Sequence, residues 1–203
     1  MERFTTLTAI AAPFPRDNVD TDYIIRVERC TGTPKAELGR YAFEMARYMP
    51  DGAENPDFIL NQPRYRGARI LVCGEFFGTG SSREMAVWAL AGMGIRCLIA
   101  PSFGEIFHGN CFQNGVLPVT LPPATVAALM RRASAPGAAP FTVDLERQTV
   151  NGDVRFEIGA RRRKMLLQGL DEISLTLAID AKSAAYQAAD RERRPWIYMF
   201  RNP

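Results

Sequence analysis

Short apolar runs alternate with longer stretches of good helix formers in the middle of the chain. The apolar runs, which have the length and composition of buried strands, are 68–73, 95–100 and 116–121. The helix-forming stretches that follow them are 82–93, 103–112 and 122–133. Alternation of this kind favours parallel neighbouring strands with helices packed on the sheet. Pro118 lies in the third apolar run, which predicts an edge strand or a bulge at that position.

The chain before this region has a less regular pattern. Residues 4–12 mix threonine with apolar residues and predict one strand that ends at Pro13. Residues 34–48 have apolar side chains at helical spacing and predict a helix. The predicted buried face of that helix consists of Leu38, Tyr41, Ala42 and Met45. Residues 50–67 are rich in turn formers, and we expect a surface loop there.

The chain after the alternating region changes character again. Residues 141–145 and 154–158 flank the Asn-Gly-Asp sequence at 151–153 and predict a β-hairpin. Most of the remaining sequence has helical patterning. We therefore expect an α/β fold with a strand-helix-strand core over about residues 1–160 and a helical C-terminal tail over about residues 161–203.

Length and composition agree with a single domain spanning residues 1–203. Hydrophobic residues make up 47% of the chain, which is enough for a sizeable core. Lysine and arginine number 25 against 22 acidic residues, a net charge of +3, and no basic stripe is interleaved with aromatics, so we expect no nucleic-acid partner. Neither a stretch long enough to span a bilayer nor the apolar region of a leader peptide is present, and we expect a cytoplasmic protein with no membrane association.

The cysteines argue against a metal site within the chain. The four are Cys30, Cys73, Cys97 and Cys111. None belongs to a Cys-x-x-Cys pair, so we expect neither a zinc site nor a complete cluster site. Cys73 and Cys97 lie in apolar runs and are expected to behave as small buried hydrophobic residues. A reduced, cytosolic protein is the simplest account of this usage.

A glycine-rich segment, Gly-Thr-Gly-Ser-Ser-Arg at 78–83, lies between the predicted strand at 68–73 and the predicted helix that follows it. Gly78 and Gly80 allow positive φ angles and a close approach of the backbone to a ligand. Ser81 and Glu84 have the spacing of a capping box, which predicts Ser81 as the helix N-cap. Free amides at a helix N-terminus bind anions, so we predict a carboxylate or phosphate site here. The segment matches neither the dinucleotide-binding fingerprint nor the P-loop.

Arg83 departs from the usual pattern of charges along a helix. In the first turn of the predicted helix its charge opposes the helix dipole, at a cost of about 0.3–1 kcal/mol. Such departures occur at functional sites, and we interpret Arg83 as a fork for a substrate carboxylate. An ordinary capped helix with a solvent-exposed arginine fits the same spacing. Similarly, the acid-rich segment 17–22 predicts either a polar site loop or an Asx-type loop. His108 is either a general acid–base group or a helix residue that is half-buried or at the surface.

Five blocks of the sequence form a recognisable series. They are Asn-Val-Asp-Thr-Asp at 18–22, Gly-Thr-Gly-Ser-Ser-Arg-Glu at 78–84, Ala-Pro-Ser-Phe-Gly-Glu-Ile-Phe at 100–107, Asn-Cys-Phe-Gln-Asn-Gly at 110–115 and Gly-Leu-Asp-Glu-Ile-Ser-Leu-Thr-Leu at 169–177. Together they resemble the small subunits of 3-isopropylmalate dehydratases, within the aconitase superfamily. The resemblance covers nearly the whole chain and implies an aconitase-type swivelling β/β/α domain.

The resemblance also implies an activity and a partner. The expected reaction is that of a hydro-lyase, the isomerisation of 2-isopropylmalate to 3-isopropylmalate by dehydration and rehydration in leucine biosynthesis. The expected partner is a large subunit, without which the chain is inactive. That partner would hold a 4Fe–4S cluster on three cysteines of its own, and the free iron corner would act as a Lewis acid on the hydroxyl of the dicarboxylate substrate.

Specific residues take roles from the family pattern. Ser81 would be the base that removes the proton next to a substrate carboxylate, with its alkoxide stabilised by helix amides and nearby cations. Arg83 would hold a substrate carboxylate. The other expected substrate-binding residues are Thr21, Asp22, Arg26, Gly80 and Ser82. The expected supporting loop contains Asp20, Gly78 and Thr79.

The sequence also departs from the family pattern. The usual Cys, His, Pro and Pro are replaced by Thr79, Met85, Val87 and Arg26. Arg26, Glu28 and Arg29 place charges in a stretch that resembles the family's substrate-selecting loop, where an isopropyl group needs an apolar pocket. A related subunit acting on a methyl- or dimethyl-malate is therefore an alternative. A non-catalytic, anion-binding regulatory module and a free-standing phosphate-binding protein are two others.

Overall fold

Two four-stranded sheets form the framework of the part of the chain that the computed structural model describes, residues 1–177 and 179–199. The strands are β1 (Thr6–Ala9), β2 (Ala11–Phe14), β3 (Ile70–Cys73), β4 (Cys97–Ala100), β5 (Leu117–Thr120), β6 (Phe141–Asp144), β7 (Thr149–Val150) and β8 (Val154–Arg155). One sheet is parallel, in the order β2-β3-β4-β5, and the other is antiparallel, in the order β1-β6-β7-β8.

Helices connect and cover these strands. They are α1 (Thr21–Ile24), α2 (Val27–Cys30), α3 (Glu44–Arg47), α4 (Met85–Gly92), α5 (Glu105–Gln113), α6 (Pro123–Ser134), α7 (Ala160–Gln168), α8 (Glu172–Leu177) and α9 (Asp180–Arg193). Short 3₁₀ turns cover Lys35–Tyr41, Ile59–Asn61 and Pro195–Tyr198. None of the helices in the described ranges combines the length and apolarity needed to cross a membrane.

Alternate side chains of the parallel sheet enter two different cores. Leu71 and Leu98 pack with buried residues of α4 and α5 on one face. Ile70 and Ile99 point to the other face, where α6 and the antiparallel sheet cover them. Burial of each such side chain contributes about 1.5–3 kcal/mol through removal from water. The result is a β/β/α layering with a parallel core, which confirms the predicted α/β fold class.

The strand-helix-strand pattern predicted for the middle of the chain is confirmed from β3 to α6. Each predicted strand and helix is present. All are slightly shorter than their apolar or helix-forming runs except α6, which has the predicted length and is displaced by one residue. β5 is the last strand of the parallel sheet, so Pro118 lies in an edge strand as predicted, where a missing N–H is tolerated.

The single strand predicted at the N-terminus is wrong, because the chain changes sheets within it. Thr6–Ala9 pairs antiparallel with β6, whereas Ala11–Phe14 pairs parallel with β3. Ile10 is the residue between the two strands. β2 also continues through Pro13 instead of ending there, because β2 is the other edge of the parallel sheet.

The hairpin prediction placed the turn and the start of the second strand, now β8, correctly, but the wrong strand before the turn. Residues 151–153 join β7 to β8, and β6 pairs with β7, with Val143 opposite Val150. Asn151 and Gly152 both have positive φ, of 54° and 82°. A tight turn of this kind pairs the residues immediately before and after it, so β7 takes the place predicted for residues 141–145.

The helix predicted over residues 34–48 is also wrong. The 3₁₀ turn Lys35–Tyr41 and α3 are separated by Phe43, whose φ is 56°. Leu38 and Ala42 are buried as predicted, but Met45 is 68% exposed. The predicted surface loop at residues 50–67 contains only a short 3₁₀ turn.

The C-terminal tail is helical as predicted, in α7, α8 and α9. Residues 178 and 200–203, which the tail prediction included, lie outside the described residues. The division of one domain into a core and a tail at about residue 160 stays a prediction.

Candidate functional site

Loops from three strands meet at the carboxyl edge of the parallel sheet. Such an edge is where ligands bind in open α/β sheets. The loop after β2 is joined to the loop after β3 by hydrogen bonds from Gly78 N to Val19 O (2.7 Å) and from Thr21 N to Thr79 O (2.9 Å). The loop after β3 is joined to the loop after β4 by a hydrogen bond from Phe77 N to Ser102 O (3.1 Å). The glycine-rich segment is therefore held on both sides.

Two glycines permit this close packing. Gly78 has a φ of 79°, and a Cβ added there would overlap the ring of Phe107 on α5. A Cβ at Gly104 would overlap the carbonyl oxygen of Gly78. Gly78 is needed for both its positive φ and its missing Cβ, and Gly104 for its missing Cβ alone, so the position of the segment depends on these two residues.

The helix cap predicted for this segment is wrong. Helix α4 begins at Met85 with Glu84 as its N-cap, and no side chain caps it. Glu84 Oε1 instead accepts a hydrogen bond from Asn114 Nδ2 at 2.6 Å. In a capping box the Glu84 side chain would accept from the backbone N–H of Ser81. Arg83 lies before the helix and not in its first turn, and the dipole argument does not apply to it.

Arg83 is the centre of the side-chain contacts at this edge. Its Nη1 donates to Asp22 Oδ1 (2.6 Å) and its Nη2 donates to Asp22 Oδ2 (2.5 Å), which is a bidentate pair. Nη1 also donates to Ile25 O at 3.4 Å, and Nη2 to Ser81 Oγ at 3.1 Å. One guanidinium thus links the loop after β2 to the hydroxyl of Ser81.

The Arg83–Asp22 pair is charged at neutral pH. The hydrogen bond from Arg83 lowers the pKa of the Asp22 carboxyl, and the same bond raises the pKa of Arg83. The Arg83 side chain is only 17% exposed, whereas that of Asp22 is 55% exposed. The Arg83 guanidinium is therefore fixed within the loops, and the Asp22 carboxylate faces solvent.

Ser81 is exposed beside this cation. Its carbonyl oxygen accepts a hydrogen bond from Thr21 Oγ1 at 3.3 Å, which fixes the backbone. Its hydroxyl accepts from Arg83. A cation at hydrogen-bonding distance stabilises an alkoxide, so this serine is suited to proton transfer.

Asp20, two residues before Asp22, has a structural role. Asp20 caps α1 by accepting a hydrogen bond from Tyr23 N at 2.7 Å. It also bridges Thr79 across the two loops. A Cβ added at Gly80, whose φ is 90°, would lie 3.4 Å from the Cβ of Asp20 and 3.6 Å from the hydroxyl oxygen of Thr21.

Most of the predicted site residues lie together. The group consists of Asp20, Thr21, Asp22, Gly78, Thr79, Gly80, Ser81 and Arg83. Ser82 is exposed beside them, and its side chain makes no hydrogen bond to the described part of the chain. Arg26 forms ion pairs outside this group instead. Its Nη2 lies 3.0 Å from Glu28 Oε1, and its Nε lies 3.7 Å from Glu44 Oε1.

Sequence reasoning missed several contributors to this arrangement. The carbonyl of Ile25 fixes Arg83, and a backbone acceptor leaves no sequence signal. Asp17 supports the edge because its Oδ1 accepts a hydrogen bond from Glu75 N at 2.7 Å. The acid-rich pattern at 17–22 was its only signal. No sequence pattern indicated Glu44, whose Oε2 lies 2.9 Å from Arg29 Nε.

His108 is half-buried on α5, as one of its two interpretations predicted. Its ring lies 5.6 Å from that of Phe103 and 5.1 Å from that of Phe112, between centroids. Burial lowers the pKa of His108, and the nearby Arg162 lowers it further. These contacts are those of a packed helix residue.

The cysteines do not fit the ligands of an iron–sulfur cluster. Cys73, Cys97 and Cys111 are buried, and burial raises the pKa of each thiol. Cluster ligands are thiolates, which this environment disfavours. Within the described residues, no group of three or more His, Cys, Asp and Glu side chains is arranged to hold a metal ion.

Comparisons with known proteins give the class of this fold and site. The family model described as Aconitase C-terminal domain matches residues 1–124, so the protein is of the aconitase C-terminal domain class. The chain is 50% identical over 201 residues to a 3-isopropylmalate dehydratase small subunit from Dinoroseobacter shibae, covering 97% of this chain and 100% of the relative. It is 48% identical over 201 residues, with the same coverage, to one from Paramagnetospirillum magneticum. The chain belongs to the family of 3-isopropylmalate dehydratase small subunits.

A solved structure supports the fold. A crystal structure of a 3-isopropylmalate dehydratase from Methanocaldococcus jannaschii is similar with a TM-score of 0.61. The similarity covers 89% of this chain and 99% of the archaeal chain, at 22% identity.

Proposed function

We propose that the chain is the small subunit of a cytoplasmic hydro-lyase that converts 2-isopropylmalate to 3-isopropylmalate in leucine biosynthesis. The observation that carries this proposal is the Ser81 hydroxyl beside the Arg83 fork. Family membership over nearly the whole chain supports the reaction and a heteromeric complex with a large subunit.

Ser81 acts as the base in this proposal. Its Oγ, as an alkoxide, removes the proton from the carbon next to a substrate carboxylate, while the hydroxyl of the neighbouring carbon leaves as hydroxide. The proton on Ser81 and this hydroxide together make up the water that the substrate loses. Rehydration returns the proton and the hydroxyl with their positions exchanged. Arg83 Nη2, at 3.1 Å from Ser81 Oγ, stabilises the alkoxide form of Ser81, which becomes a neutral hydroxyl when it accepts the proton. This cation replaces the helix amides expected from the sequence.

Arg83 also holds a substrate carboxylate in this proposal. Its planar guanidinium already forms the bidentate geometry with a carboxylate, that of Asp22. Gly80 and Ser82, which are exposed on either side of Ser81, line the substrate site, and the buried Thr21 supports it from beneath through its hydrogen bond to the Ser81 carbonyl. Positioning of this kind contributes to the rate by holding the reacting carbon near the base.

The large subunit completes the site. The cysteines of this chain do not fit a 4Fe–4S cluster, so we propose that the partner holds it and that it supplies the Lewis acid for the substrate hydroxyl. Ser81 and Arg83 lie at an open edge of the domain, which the partner would cover. Closure of the two subunits would exclude water from the dicarboxylate.

The contacts of the charged loop support isopropylmalate as the substrate. Arg26 pairs with Glu28, and Arg29 pairs with Glu44 while stacking 4.2 Å from the Tyr41 ring centroid. Because the charges neutralise one another within the loop, no unpaired charge has to meet the isopropyl group.

The test is an anaerobic assay of the complex. The chain is purified with its large subunit, the cluster is rebuilt, and alkene absorbance is followed for isopropylmaleate, citraconate and dimethylmaleate. Fastest turnover of isopropylmaleate is expected. A preference for either smaller diacid would overturn the proposed substrate. Absence of turnover with an intact cluster would overturn the enzymatic role in favour of a non-catalytic binding module.

A further inference from the structure

The hydrogen-bond donors of Arg83 are almost fully used by the chain itself. A guanidinium has five N–H donors, four of them on the two Nη atoms. Those four meet Asp22 Oδ1, Asp22 Oδ2, Ile25 O and Ser81 Oγ. A second carboxylate therefore finds no free pair of Nη donors.

Of the acceptors around Arg83, Asp22 is the one that can be exchanged. The carbonyl of Ile25 belongs to the backbone, and Ile25 itself is buried. Asp22 is 55% exposed, and in the described residues its carboxylate accepts hydrogen bonds only from Arg83. A rotation about its side-chain torsions would return it to water without disturbing α1, whose buried residues are Thr21 and Ile24.

We propose that Asp22 occupies the carboxylate site of the substrate-free enzyme and that a substrate carboxylate binds by replacing it. This inference rests on the proposed function, because it takes the Arg83 fork as the substrate's binding group. Both carboxylates carry one negative charge and offer two oxygens, so the exchange leaves Arg83 neutralised and still bonded to Ile25 O and Ser81 Oγ. Asp22 thereby keeps the base assembled between turnovers.

Replacement of one carboxylate by another lowers the apparent affinity for the substrate. The apparent dissociation constant rises in inverse proportion to the fraction of molecules with an empty fork. The Asp22 carboxylate is 55% exposed and can be solvated once it leaves Arg83, which weakens the pair, so this fraction is not vanishingly small. We expect removal of the Asp22 carboxylate to tighten dicarboxylate binding about 3- to 10-fold.

Calorimetry on the reconstituted complex tests this exchange. The probe is succinate, a dicarboxylate with no hydroxyl, which cannot be dehydrated. The variants are Asp22→Asn and Asp22→Ala. The matched control is Asp153→Asn, which changes an aspartate in the turn between β7 and β8 that is 67% exposed and paired with Arg132 of α6. Each Asp22 variant is expected to lower the Kd for succinate, and the control to leave it unchanged. In an Arg83→Gln background the Asp22→Asn change should have no effect.

The outcomes separate this inference from the proposed function. An equal or weaker affinity in both Asp22 variants, with the complex intact, would overturn the exchange. If the wild-type complex binds succinate too weakly to measure, binding that appears only in the Asp22 variants supports the exchange, and binding in none of them overturns it. The ratio of the succinate Kd values of the wild type and the Asp22 variants does not depend on turnover. A failure of the proposed reaction is therefore seen separately, in the alkene assay.

Discussion

Arg83 Nη2 lies 3.1 Å from Ser81 Oγ, and Arg83 Nη1 is tied to the carbonyl of Ile25. The hydroxyl on one loop is therefore held beside a cation that is fixed by another loop. The Arg83 side chain is only 17% exposed, which limits the screening of its charge by water. Ser81 and Arg83 are best regarded as one functional unit.

Ser81→Ala is expected to abolish most of the turnover. Removal of a general base typically lowers the rate about a hundred- to ten-thousand-fold. Binding of the dicarboxylate depends on Arg83 and should change little, so the loss is expected in kcat and not in KM. The measurement is steady-state turnover of isopropylmaleate by the reconstituted complex.

Ser134→Ala is the matched control for this change. Ser134 is an exposed serine at the end of α6, and its hydroxyl donates only to Met130 O at 2.9 Å. The control should keep the wild-type kcat. Full activity of Ser81→Ala would remove Ser81 as the base and support the non-catalytic interpretation of the site.

Arg83→Lys keeps the charge but removes the planar fork. We expect kcat to fall about 10²–10³-fold, because the donor to Ser81 Oγ is lost, and KM to rise, because a lysine cannot bind a carboxylate bidentately. Arg161→Lys, at a position on α7 that is 71% exposed, is the matched control and should leave both constants unchanged. A change in KM alone would show that Arg83 does not assist Ser81.

The strand-helix-strand core could be predicted from the sequence because its signals are local. The runs 68–73 and 95–100 each contain one arginine, but the four residues after it, 70–73 and 97–100, are all apolar and buried, which is what a strand covered on both faces requires. That most of the candidate site residues lie together was also predictable, because the glycines, Ser81 and Arg83 are close in sequence. Their placement after a parallel strand put them at the carboxyl edge of the sheet.

The details that failed depend on residues distant in sequence. The spacing of Ser81 and Glu84 suggested a capping box, but Glu84 bonds Asn114, which lies 30 positions away. The strand predicted at residues 4–12 divides between two sheets because its partners are β6 and β3. Neither partner can be read from the local pattern of apolar residues.

Gly78→Ala is expected to destabilise the protein through steric overlap as well as backbone strain. Gly78 has a φ of 79°, which costs a non-glycine residue about 1–2 kcal/mol. Its added Cβ would also overlap the ring of Phe107. Overpacking of this kind typically costs about 1–3 kcal/mol more. The measurement is the free energy of unfolding in denaturant.

Gly32→Ala separates the two contributions. Gly32 has nearly the same φ, 81°, but no atom lies within 4 Å of its added Cβ. The difference in the free energy of unfolding between the two variants therefore reports the steric overlap alone. Equal losses of stability would show that the Phe107 ring moves aside without cost.

A buried carboxylate organises the end of the C-terminal tail. Asp190 on α9 is 4% exposed and accepts hydrogen bonds from Arg194 Nε (2.8 Å), Arg193 Nη2 (3.0 Å) and Tyr198 Oη (3.0 Å). Burial alone would raise the pKa of Asp190, but these hydrogen bonds outweigh it and hold the pKa below its ordinary value of 3.8. The Asp190 carboxylate therefore stabilises the tail at pH values above 3.8. This stabilisation is lost as the pH falls through the lowered pKa of the folded state.

We expect the 3₁₀ turn Pro195–Tyr198 to detach from α9 on acidification. Trp196 lies in this turn, and a Trp88→Phe background leaves it as the only tryptophan of the chain. Its fluorescence should be constant near neutral pH and change below about pH 4, where the carboxylate begins to take up protons. In Asp190→Asn, which has no charge to lose, the spectrum should resemble the acid form at all pH values. The same acid transition in this variant would show that another group controls the tail.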